Sequence, residues 1–130
     1  MGVDSPRQRG ISEYVVQLKM RGRRASLLLM RHLSPITSER LFRSLPLLGT
    51  AIRLDDVLYI SLELEGRLER PVKSLKTGEV GFSPSNKVLV IAMKDVDVGI
   101  PLTMLGRIVE GIEELSQINT GDRVTLEKRS

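Results

Sequence analysis

Few side chains in this sequence are equipped for chemistry, and their types limit what that chemistry can be. The chain has one histidine, His32, and no cysteine. Thiol nucleophiles, disulfides, thiolate metal sites and multi-histidine metal centres are therefore excluded. No glycine-rich phosphate loop is present. What remains is arginine, carboxylate and a scarce aromatic set of two Tyr and two Phe. Arg53, in "AIRL", has a guanidinium able to hold a carbonyl, carboxylate or phosphate at two points; the plainer reading pairs it outward with Asp55 or Asp56. Tyr59 stands on the strand face opposite Leu58 and Ile60. Beside Phe82 it would floor a shallow groove, or it lies over a helix with its hydroxyl in water. "SPSNK" (83–87) is a turn by composition, and on a pocket rim Asn86 and Lys87 would meet a polar ligand. Asp95 and Asp97 in "KDVDVG" are too few oxygen ligands for a calcium loop and read as a solvated loop. His32 reads as a strand-end histidine.

Charge is unevenly distributed. Residues 1–53 carry ten Lys/Arg against three Asp/Glu, whereas residues 54–130 carry ten against thirteen. The basic excess gathers at Arg7, Arg9 and "KMRGRR" (19–24). Such a cluster attracts phosphate or an acidic partner, although charge runs are most often solvated turns. Single-stranded nucleic acid calls for interleaved aromatics; these are missing and the later half is acidic, which argues against nucleic acid.

The elements that must position these residues are mostly strands. Residues 1–11, with Pro6 and Gly10, read as a flexible N-terminal arm, and 12–130 as one domain. In "SEYVVQLKM", Tyr14, Val16, Leu18 and Met20 alternate onto one face. "RGRR" is a turn and "ASLLLMRHL" a more buried strand, giving a hairpin. In "LSPITSERLFRSLP", Ser34 suits an N-cap and Pro35 the first helical position. Leu41, Phe42 and Leu45 form its apolar stripe, with Ser38, Arg40 and Arg43 outside it. "GTAIRLDDVLYISLEL" reads as two strands joined at Asp55-Asp56, with Leu58, Ile60, Leu62 and Leu64 on one face. "RPVKSL" is a short extended piece, "GEVGF" a strand, and "KVLVIAM" a strand buried on both faces. "KDVDVGIPL" is expected as a loop, "TMLGRIVE" as a strand, Ile112 to Gln117 as a short helix and "DRVTLE" as the last strand. About eight short strands and two helices argue for a sandwich or a closed barrel. No apolar run approaches the ~20 residues of a membrane helix. "MGVDSPRQRG" has no apolar signal core, so a cytoplasmic protein without membrane association is expected.

In this order the elements meet recognisable residues. "MLGRIVEGIEELSQI" (104–118) resembles the closing segment of cyclophilins, and "GEVGFSPSNKVLVIAMKD" (78–95) a strand, turn and apolar strand of the same family. With "SLP" (44–46), "LDDVLYI" (54–60) and "SPSNKVL" (83–89), the chain over roughly 12–128 is similar to the cyclophilin-like domain of small prokaryotic proteins of unassigned function. The resemblance implies a mainly β fold: a closed eight-stranded antiparallel cyclophilin-like β-barrel capped by two short helices. Prolyl isomerases of the family use an Arg with Gln, Trp, His and an apolar floor. Carried across, Arg53 stands near the Arg and Phe82 on the floor. Pro101 or Leu102 stands where the His would be, and Lys87 or Val88 where the Gln would be; the Trp has no counterpart.

With most of that set missing, the sequence reads as a binding module for a small molecule or peptide. Its shallow groove is formed by Arg53, Tyr59, Phe82 and Met93, with Asn86 and Lys87 as further candidates. No catalytic residue, metal or cofactor is assigned. The alternative is a weak peptidyl-prolyl isomerase using Arg53. An exposed apolar patch would serve a ligand or a second copy, which leaves homo-oligomerisation open.

Overall fold

Alternation of apolar and polar side chains shapes this molecule, and the computed structural model, which describes residues 13–129, shows where each alternating face goes. Strands β1 (Glu13–Met20) and β2 (Arg23–Met30) form the first hairpin. Its two-residue turn places Arg21 and Gly22 at φ 48° and 77°, the left-handed pair of a tight hairpin turn. Helix α1 (Pro35–Ser44) follows, then β3 (Leu47–Leu54) and β4 (Val57–Ser61), joined at Asp55-Asp56. The Leu45-Pro46 bond after the helix is cis. Next come β5 (Val72–Leu75), β6 (Glu79–Ser83), β7 (Val88–Ala92) and the long β8 (Val96–Glu110). The short helix α2 (Ile112–Leu115) and β9 (Arg123–Lys128) complete the described chain.

The strands pair antiparallel in the order β2-β1-β9-β3-β4-β7-β6-β8, and β8 returns to β2. An eight-stranded barrel is thereby closed, leaving no open edge in the ring. Its interior holds Val16, Leu18, Leu27, Leu29, Leu58, Ile60, Leu89, Ile91, Val124 and Leu126, all without solvent exposure. Leu41 of α1 enters this core at one end, and Leu115 and Ile118 of the α2 segment enter it at the other. The closed barrel with two short helical caps is the architecture expected from the resemblance.

Two local expectations are corrected. "KDVDVGIPL" is mostly not a loop: from Val96 it is the first half of β8 and pairs with β5 outside the barrel. Val96, Val98, Ile100 and Leu102 turn toward the protein while Asp97, Gly99 and Pro101 face water. This is a period of two that the glycine and proline had disguised. The β5–β8 ribbon covers a second apolar cluster of Val57, Leu75, Val90, Ala92 and Leu102, which is why β7 is buried on both faces.

The start of α1 also departs from expectation. Ser34 occupies the N-cap position but makes no capping bond; its Oγ lies 2.9 Å from Ser38 Oγ, and Ser38 is buried rather than outward. Glu69 supplies the cap from a distant loop. Its carboxylate accepts the N–H groups of Ile36 (3.0 Å) and Thr37 (2.7 Å) and the Thr37 hydroxyl (2.6 Å). The expected N-terminal arm, with Arg7 and Arg9, lies outside the described residues. Among the described residues no helix is long and apolar enough to cross a membrane.

Candidate functional site

The six residues expected to share a groove occupy different parts of the barrel. Arg53 points to the end plugged by α2. Its Nε donates to the Ile118 carbonyl at 2.7 Å and an Nη to the Leu115 carbonyl, while its backbone N–H donates to Thr120 Oγ1 at 2.9 Å. It clamps carbonyls, but those of its own chain at the end of α2 and just past it, where the Leu115 carbonyl also accepts the Ile118 N–H at 3.1 Å. Asp56 faces Lys94 at 3.9 Å instead of Arg53. Met93 packs partly buried near the same end, its N–H on the Asp56 carbonyl.

Asn86 and Lys87 stand at the other end of β4. Asn86 closes its turn on Ser83 Oγ, and Lys87 pairs with Glu65 at 2.9 Å. Four strand steps separate the two ends, roughly 13 Å. Tyr59 is half-buried on the outer face, within the cluster under the β5–β8 ribbon. Phe82 is fully buried inside the barrel, against Gly66 and below α1. His32 is exposed. Asp95 accepts from the Thr77 N–H and hydroxyl, and Asp97 from the Gly99 N–H. Both acids brace turns, and no carboxylate–histidine cluster suited to a metal occurs among the described residues.

A concave surface does exist along α1. Ile36, Glu39, Arg40, Arg43 and Ser44 recur at helical spacing on the face opposite Thr37, Ser38 and Leu41. Together with Pro35 and with Arg31 from the end of β2 they line an open groove of about 510 Å³, a volume within the ~300–1,000 Å³ of small-molecule sites. Glu39 is its organising centre. The Tyr14 hydroxyl donates to Oε1 at 2.8 Å, an Arg31 Nη lies 3.3 Å from the same oxygen, and Arg43 Nε lies 2.8 Å from Oε2. The Tyr14 hydrogen bond, with smaller help from Arg43 and Arg31, holds the Glu39 carboxyl below its ordinary range. The same bond, and then burial, pushes the Tyr14 phenol up.

Tyr14 also stacks on Phe42, ring centroids 4.0 Å apart and planes 9° from parallel. Arg31 lies over the outer face of the Tyr14 ring and Lys128 over that of Phe42, at 5.3 and 5.1 Å. This stack fixes the groove's rear wall. Arg40, exposed, makes one long contact of 3.4 Å to the Glu65 carbonyl, so most of its donors face the groove or water. Ile36 is 42% exposed at the groove's start. The outward arginines of α1 are legible in the sequence; the groove is not. Tyr14 and Arg31 come from the first hairpin, and only barrel closure sets them beside Glu39.

The family model described as Cyclophilin-like matches residues 15–127. Among solved structures, the chain is similar to the hypothetical protein AF2241 from Archaeoglobus fulgidus, with a TM-score of 0.75 and 19% identity over 91% of this chain and 96% of that one. It is also similar to McbB, solved in complex with tryptophan, with a TM-score of 0.72 and 15% identity. That match covers 88% of this chain but 45% of McbB, so the chain spans about half the length of that relative. At these identities the likeness is one of fold. Among curated proteins no sequence matches.

Proposed function

Because the chain belongs to the Cyclophilin-like family, a fold that here presents an open groove along α1, we propose that it is a binding module for a small molecule with an apolar body and a carboxylate. The groove itself carries this reading. Arg31 and Arg43 engage one carboxylate, Glu39, while Arg40 on the same groove holds one long contact to the Glu65 carbonyl, beside the exposed apolar surface of Ile36 and Pro35. Glu39 is already satisfied by three donors, which leaves Arg40 to take an incoming carboxylate while the ligand's apolar part covers Ile36. McbB, of the same fold, was solved with tryptophan, a molecule of this chemical class; that likeness supports the class and no more. The alternative of prolyl isomerisation has less support. The one arginine carried over from the resemblance, Arg53, has its Nε and one Nη turned to the Ile118 and Leu115 carbonyls of its own chain.

The test is calorimetry with three probes: tryptophan, N-acetyltryptophan, which keeps the carboxylate and loses the ammonium, and tryptamine, which does the reverse. Both carboxylates should bind and tryptamine should not. Arg40→Ala and Ile36→Ser, both at exposed positions, should each weaken binding about tenfold or more while leaving the melting temperature of the free protein near the wild type. Equal binding by tryptamine, or binding indifferent to both substitutions, overturns the reading, as does the absence of heat with all three probes.

A further inference from the structure

At the opposite end of the barrel, the first hairpin sets like charges beside one another. In the β1–β2 register Lys19 stands directly opposite Arg24, and in the β1–β9 register it stands opposite Thr125. All three side chains are on the outer face, and like charges directly opposed across a strand pair are destabilising. Glu127 relieves Lys19 at 3.0 Å. Arg24 is exposed and has no ion pair among the described residues, and neither does Arg123, two residues from Thr125 on the same face of β9. Arg21 and Arg23 complete the ring from the turn, paired with Asp122 at 3.3 Å and Glu114 at 2.9 Å. The Arg23–Glu114 pair is exposed on both sides, of the kind that contributes little, whereas Arg21 is exposed over a mostly buried Asp122. The five cations surround a concavity of about 390 Å³, whose other lining residues are Met20, Gly22 and Thr125.

We propose that this concavity is a binding site for a short oligophosphate chain, held by Arg24 and Arg123 with Lys19, Arg21 and Arg23 around them. The chemistry follows from what the site has and what it lacks. Converging guanidinium groups match several closely spaced phosphate oxygens, which they bind bidentately, whereas a single orthophosphate would engage only part of the ring. No aromatic ring lines the site, and its one large apolar residue, Met20, is buried. A nucleobase or ring attached to the chain would therefore gain no stacking partner. Inorganic oligophosphate and the phosphate tail of a nucleotide share this chemistry.

Binding of inorganic tripolyphosphate, ATP and orthophosphate is measured by calorimetry at low ionic strength, on the wild type and on the Arg24→Gln/Arg123→Gln variant. Lys73→Gln, which removes one exposed charge elsewhere on the surface, serves as a control on β5. Tripolyphosphate should bind more tightly than orthophosphate. The double variant should lose about tenfold or more in affinity while Lys73→Gln changes nothing, and both melting temperatures should stay near the wild type because all three residues are exposed. ATP equal to tripolyphosphate assigns the site to the phosphate chain from either source; ATP much tighter than tripolyphosphate overturns a site that ignores the base. Unchanged affinity in the double variant, an equal loss in Lys73→Gln, or no binding at all overturns the proposal. A generic DNA oligonucleotide that binds more tightly than tripolyphosphate, with a steep salt slope, also overturns it and assigns the face to nucleic acid. The α1 groove lies at the other end of the barrel, so failure here leaves the carboxylate reading intact.

Discussion

Single residues in this chain are committed to the fold in ways their chemistry does not announce. Glu69 is the clearest case. Partial burial opposes its charged form, but the Thr37 hydroxyl, the N–H groups of Ile36 and Thr37, and nearby Arg67 outweigh that and hold its carboxyl below the ordinary 4.5. A depressed folded-state value means stability that is present above the unfolded-state value and is lost as pH falls through the folded one. Glu69→Gln should therefore destabilise at neutral pH by about 1 kcal/mol, the usual worth of a helix cap. The gap to wild type in thermal melts should close as pH drops below 4.5; a constant gap down to low pH would contradict the linkage. Arg53 is the second case. Arg53→Ala removes charge-assisted bonds to two carbonyls and should cost about 1.5–3 kcal/mol in denaturant titrations, with binding in the α1 groove unchanged. A stable variant that instead loses binding would return Arg53 to the role the sequence suggested for it. Neither partnership was legible in the sequence, because Glu69 and Thr37, or Arg53 and Leu115, meet only across distant elements.

At the scale of elements, the sequence was most informative where the period was clean. The first hairpin, the Asp55-Asp56 connection, the stripe of Leu58, Ile60, Leu62 and Leu64, and the doubly buried β7 were all readable, because burial of one face forces alternation and burial of two removes it. What covers the second face of β7 was hidden. Gly99 and Pro101 punctuate the first half of β8 like a loop, yet both sit on the solvent side of a ribbon whose inner side is Val96, Val98, Ile100 and Leu102. That ribbon is part of the stable structure, since Leu102 is fully buried in the outer cluster. Leu102→Ala should cost about 2–5 kcal/mol, as for truncations in a main core. A loss of only a few tenths, measured by chemical denaturation, would mean that the ribbon lies loosely on the barrel. The candidate groove was partly legible for a related reason. Arg40 and Arg43 could be placed on the outer side of α1 by spacing, but the Tyr14–Phe42 stack behind it depends on the approach of β1.

For the whole molecule, the decisive event is closure of the ring between β2 and β8, segments about eighty residues apart in the chain that form no local unit. Closure brings the backbones so near that a Cβ at Gly106 would run into the Leu28 carbonyl and the Leu29 Cα. The same seam holds Arg31 where it reaches Glu39 at one end and Arg24 where it faces the hairpin concavity at the other, so both proposed sites inherit their geometry from it. Gly22, in the first hairpin's turn, makes the useful comparison. Its φ of 77° favours glycine, but an added Cβ would meet nothing within 4 Å. Gly22→Ala should therefore cost only backbone strain, on the order of 1 kcal/mol. Gly106→Ala must push two strands apart, a cost of about 1–3 kcal/mol or more of the overpacking kind. It should also loosen the seam, speeding amide exchange in both β2 and the second half of β8. Exchange that quickens in only one of these strands, or a Gly106→Ala variant as stable as Gly22→Ala, would show that the ring tolerates an opening at β2–β8 and that its closure is not what positions the two ends.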